Sequence, residues 1–278
     1  MIETAFFILF SAALCILRAL LGLWAIDPAT GFYEGYMPLV FLQNALLALG
    51  MAVFIVHALQ AAGKNGRPLT AAWMQGLPLA AAGSVLAVCS GVMLMQELLR
   101  FTGGEEGSGL ISLTAQAVGL VSGLAMAVAA FRFRSGRERG CGLLTAAIPA
   151  VYMVLLTVAR FLAYPTIAGI SDQRWEVCAL SMGALFFLYH ARALSGMGET
   201  SALAYARGWG LCFGLIGLPL CAAQQLTVMT GGRNSLLMPG PSRFSMGVLA
   251  LYAVIFSCAI RPKQVWSYRR YPYSDAFR

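Results

Sequence analysis

The stretch TAFFILFSAALCILRALLGLWAI, Thr4–Ile26, decides the fold. It runs for 23 residues with Arg18 as its one charge. At about 1.5 Å per residue, a helix of that length crosses the roughly 30 Å hydrocarbon core of a bilayer. Seven similar runs follow: Met37–Gln60, Trp73–Leu99, Leu110–Phe131, Leu143–Tyr164, Trp175–Leu194, Gly208–Met229 and Phe244–Ile260. Asp27-Pro28, Gly63 to Pro68, Gly103 to Gly107 and Gly231 to Asn234 lie between runs, and their residue types favour turns.

Composition agrees with that reading. Of 278 residues, 59% are hydrophobic and 11% charged, against about 45–50% and about 25% in soluble domains. Mean hydropathy is +0.75. A soluble fold, a disordered chain and a disulfide scaffold are all excluded. The expectation is an all-α polytopic integral membrane protein with eight transmembrane helices.

The basic residues orient it. With eight spans, Lys64, Arg67, Arg132, Arg134, Arg137, Arg139, Arg192, Arg207 and the five between Arg261 and Arg278 fall on one face. Arg100, Arg174, Arg233 and Arg243 fall on the other, and Arg18 and Arg160 lie inside spans. The positive-inside rule then puts both termini in the cytoplasm of a plasma (inner) membrane. Seven spans would put the basic tail outside. Met1-Ile2-Glu3 lacks a basic n-region, and the first run is longer than a leader's, so it reads as a retained span. The net charge of +8 fits loops facing anionic lipid, so no nucleic-acid partner is needed to explain it. The seven cysteines show no metal-ligand spacing and read as small packing residues.

The two histidines share a local pattern, Phe54-x-x-His57-Ala58 and Phe187-x-x-His190-Ala191, each followed five residues later by glycine. Gly76-Leu77-Pro78-Leu79 in the third run has a counterpart in Gly217-Leu218-Pro219-Leu220 of the seventh. Together they suggest two parallel four-helix halves, residues 1–139 and 140–260, followed by a basic aromatic tail, 261–278.

Arg18 is the most informative residue. A deep arginine costs about 2.5–3.5 kcal/mol on insertion scales, so it should face the bundle interior and meet a partner. Glu97 and Glu176 are the carboxylates within reach of such a pair. Alternatively Arg18 serves an anion or substrate site, shared with Arg160 of the other half. Arg160, four or five residues before Pro165, has the simpler option of reaching the interface. A b-type haem would need two imidazoles at matched depth, and His57 and His190 are the only two in the chain. Placement near helix C-termini accounts for them more simply.

Chemistry is otherwise sparse. No Asp or Glu lies near the middle of a run, and there is no zinc motif, nucleophile elbow or phosphate loop. Gly119-x-x-x-Gly123 and Gly210-x-x-x-Gly214 permit close helix approach. Pro78 and Pro219 are expected to kink their spans. Gln43, Asn44, Gln116, Gln224 and Gln225 suit interhelical hydrogen bonding or a pathway lining. The tail interleaves basic residues with Trp266, Tyr268, Tyr271 and Tyr273, which suits anionic lipid at the cytoplasmic face or the docking of a soluble partner. The leading functional expectation is a small-molecule or ion transporter or permease. The alternative is a non-catalytic membrane subunit that docks a soluble partner or binds a quinone or haem. No catalytic set supports an enzyme.

Overall fold

The computed structural model describes residues 2–25, 35–62, 69–70, 76–103, 110–134, 142–163, 171–195, 199–229 and 239–262. Most of the turn segments and the tail beyond 262 lie outside them. Eight helices account for nearly all of the described chain: α1 (Ile2–Trp24), α2 (Met37–Ala62), α3 (Leu77–Thr102), α4 (Leu110–Arg134), α5 (Leu143–Ala163), α6 (Ser171–Leu194), α7 (Glu199–Met229) and α8 (Gly240–Ala259). Each is long and apolar enough to cross a membrane. Two short strands, β1 (Leu69–Thr70) and β2 (Arg261–Pro262), pair antiparallel, with Leu69 opposite Pro262.

Two boundaries differ from expectation for identifiable reasons. α7 starts at Glu199, not Gly208, because Ala202, Leu203, Ala204 and Ala206 are buried and carry the helix past Arg207. α3 starts at Leu77, not Trp73, so Pro78 occupies its second position. Proline there forfeits no helical hydrogen bond, because the first-turn N–H groups have no intrahelical acceptor. Pro78 is therefore a helix starter and not a kink. The interior prolines are Pro219 in α7 and Pro149 in α5.

From α3 to α8 each helix packs on the next, and α8 returns to α3, closing a ring of six. α1 and α2 stand outside the ring, against α7 and each other. α7 therefore touches α1, α2, α6 and α8, while α3, its counterpart in the suggested repeat, touches α4 and α8. The most apolar stretch of α7 is 67% buried, against 17% for α2. One face of each outer helix meets lipid. On α5, Val151, Val154 and Val158 point outward while Tyr152, Met153 and Leu156 point inward, the separation expected of a 3.6-residue period.

Small residues set the tightest crossing. A Cβ added to Gly83 of α3 would lie 2.7 Å from the Gly123 carbonyl oxygen and 2.8 Å from the Ala127 nitrogen of α4. A Cβ on Gly123 would strike the Ala87 nitrogen and the Gly83 carbonyl in return. The backbones touch, as the Gly119–Gly123 spacing leads one to expect.

Candidate functional site

The polar side chains of the interior gather toward one end of the bundle, where α1, α3, α5 and α7 finish and α2, α6 and α8 begin. α1 buries Phe7, Leu14, Arg18 and Leu21 on one face, the 3.6-residue stripe that turns toward its neighbours. Arg18 is the only charge on that stripe and is 1% exposed. Among its interactions, the guanidinium carbon stands 5.1 Å from the centroid of the Trp175 ring on α6. Such cation–π stacking is worth about 2 kcal/mol when desolvated.

Arg160 and Glu176 close the next part of the site. Arg160 sits three residues before the end of α5, and Glu176 five residues after the start of α6. Arg160 Nε lies 3.0 Å from Glu176 Oε1, with the Glu176 side chain 6% exposed. Arg160 is thus held by an interior carboxylate and does not reach for the interface. Glu97 is engaged elsewhere, accepting from Ser112 Oγ at 3.3 Å and lying 4.0 Å from Arg100.

The α8 start supplies a third guanidinium to this layer, Arg243, which is buried as Arg18 is. Arg243 and Glu176 both lie within electrostatic reach of Cys221 on α7. Between α5, α6 and α8 a void of about 10 Å³ is lined by Tyr152, Glu176, Ser242 and Ser245, roughly the space one water needs. Sequence places Arg243 on the outer face because the apolar run begins at Phe244, whereas the structure puts it inside α8. Pro241, at a helix's second position, was the available signal that the helix starts before it.

Gln43 of α2 belongs to the same layer. The Phe7 and Phe54 rings sit 5.9 Å apart where α1 meets α2. Eleven residues are close to three full turns, so Arg18 and Gln43 occupy the same faces eleven positions further on, in the same direction. Gln43 is fully buried, and neither atom of its amide has a hydrogen-bond partner among the described residues. Of the two roles expected from sequence, interhelical hydrogen bonding and the lining of a pathway, the described residues show no hydrogen bond for it. Gln224 and Gln116 are also buried, whereas Asn44 and Gln225 face outward.

The two histidines lie toward the opposite end and on different sides of α7. His190 Nε2 is 2.7 Å from the Tyr252 hydroxyl, inside an aromatic cluster with Phe186 and Phe256. His57 lines an apolar groove with Arg207. Gly208 of α7 packs on Ala58 beside His57, and Gly210 packs on Phe186 beside His190. Two residues are 200° of helix rotation, so the body of α7 stands between the imidazoles. Among the described residues no group of three or more His, Cys, Asp or Glu side chains is placed to hold a metal ion.

Comparison with family models, with curated proteins and with solved structures finds no match to this chain. What fold and geometry establish together is a multi-pass membrane protein of eight helices, with a polar layer inside one end of the bundle.

Proposed function

We propose that the protein is a membrane carrier for a small anion and that the Arg18 layer receives it. One observation carries this reading. Among the described side chains of that layer, the guanidiniums of Arg18, Arg160 and Arg243 outnumber the carboxylates of Glu176 and Glu97, and Glu97 already lies beside Arg100. Buried charge is expensive, so an interior with surplus positive charge is most stable when an anion joins it. Gln43 adds a buried amide, which in either orientation offers both a donor and an acceptor.

The test is uptake into proteoliposomes of inorganic phosphate and small mono- and dicarboxylates. Wild-type protein should take up at least one of them above protein-free vesicles. Arg18→Gln should lower that uptake roughly tenfold or more, the scale of a lost charge-assisted hydrogen bond, while losing no more stability than the Trp175 contact supplies, about 2 kcal/mol. Gln43→Leu should lose uptake without losing stability, since the amide it removes has no hydrogen-bond partner among the described residues. Failure of every anion in the wild-type protein would overturn the proposal, as would full uptake by Arg18→Gln. A melting temperature that collapses in Arg18→Gln would assign Arg18 to the packing of α1 on α6.

The same reading places the chain in the plasma (inner) membrane with the Arg18 layer toward the outer face and both termini cytoplasmic. A reporter fused after Arg278 should then behave as cytoplasmic and one inserted at Gly104 as external. The opposite result at either position would reverse the orientation.

A further inference from the structure

A cavity lies at the other end of the bundle, where α1 and α7 begin and α2 finishes. It holds about 190 Å³ between these three helices. Its walls are Phe6, Phe54, Ala58 and Leu211, and its polar groups are His57 and Arg207. The space exists because side chains are small where α2 crosses α7. A Cβ added to Gly208 would lie 2.5 Å from that of Ala58, so the helices touch there, and the larger Phe6, Val53 and Leu211 stand off around the contact. Val53 lines the groove and is 40% exposed, and Val56 and Leu59 beside it are exposed as well. The groove therefore opens sideways onto the lipid-facing surface of α2.

An apolar cavity of about 150 Å³ already accepts a benzene-sized hydrocarbon and stays dry without one. A groove of this size, open to lipid, suits part of an acyl chain. Arg207 and His57 add N–H donors at its edge, and a guanidinium favours a phosphate. Arg132 and Arg192, in the last turns of α4 and α6, bring further positive charge to the same end. Neutral hydrocarbon would satisfy only the walls, and a free phosphate only the two donors.

We infer that this groove binds one anionic phospholipid, with an acyl chain between α1, α2 and α7 and its phosphate against Arg207 and His57. The site is separate from the Arg18 layer and does not depend on the function proposed for it.

Native mass spectrometry of the delipidated full chain tests the inference, using phosphatidylglycerol and phosphatidylcholine of identical acyl composition, and glycerol phosphate as the headgroup alone. Phosphatidylglycerol should be retained about tenfold or more over phosphatidylcholine, the scale of a charge-assisted contact. Glycerol phosphate should not be retained. Arg207→Gln should abolish the preference, and Ala61→Phe, which fills the groove from α2, should lower retention of both lipids. Arg18→Gln should leave retention unchanged. Equal retention of the two lipids by wild type would overturn the site. So would a preference that survives both groove variants, or retention of glycerol phosphate as strong as that of the whole lipid. Should Ala61→Phe fail to fold, Arg207→Gln and the headgroup comparison still decide.

Discussion

Glu176→Gln is expected to destabilise the protein by about 3–5 kcal/mol, the cost of leaving a buried charge without its counter-ion. The Arg160 guanidinium lies 3.0 Å from the carboxylate, in a partly buried position where little water can replace it. Glu176 is also buried in the layer that holds Arg18 and Arg243, where Glu97, the other buried carboxylate, already lies beside Arg100. Neutralising it raises the cost of all three cations together. Denaturant unfolding in mixed micelles should therefore show a larger loss for Glu176→Gln than for Arg160→Gln. The double variant Arg160→Met/Glu176→Leu should recover most of the loss, because apolar replacement of a whole buried pair is close to neutral. A single variant as stable as wild type would mean that water reaches the pair. A double variant no better than Glu176→Gln would show that the carboxylate serves the other guanidiniums more than Arg160.

The second large effect belongs to the α3–α4 crossing. Gly123→Leu should separate the two helices, since its Cβ alone meets backbone atoms of Gly83 and Ala87 that cannot rotate away. Overpacking costs about 1–3 kcal/mol where side chains can yield, and more is expected where they cannot. Gly123→Ala should already lower the melting temperature, and Gly123→Leu should cut the yield of folded protein. Leucine substituted for the exposed Leu124's neighbour Val121 on the lipid face should be tolerated, which controls for simple bulk. Wild-type stability in Gly123→Leu would show that the crossing is looser than the Gly83–Gly123 contact implies.

The spans were legible because apolar run length is a direct reading of bilayer thickness, and all eight runs fall inside or over an observed helix. Their ends were less so. Arg207 resembles a border residue, yet α7 continues beneath it on a buried alanine-rich turn. Arg18 was conspicuous as a lone charge in an apolar run, and Glu176, one of its candidate partners, forms an ion pair with Arg160 in the structure. Neither Arg243 nor Tyr152 stood out, one lying at a run's edge and the other being an ordinary aromatic. Which helix would stand innermost could not be read at all. Lipid is as apolar as a protein core, so the outward and inward faces of α2 or α7 carry nearly the same residue types.

The position of α7 has a consequence for the birth of the chain. α1 and α2 leave the ribosome well before α7, the helix they lean on, which starts nearly 140 residues behind the end of α2. At about 5–20 residues per second, the leading hairpin waits roughly 10–30 s in the bilayer before its support is made. Through most of that interval Arg18 lacks the indole of Trp175 on α6, so a cation sits among acyl chains or is sheltered by the insertion machinery. The pair most loosely held in the finished molecule must therefore wait for its support, and α7, on arrival, gathers in helices made long before it.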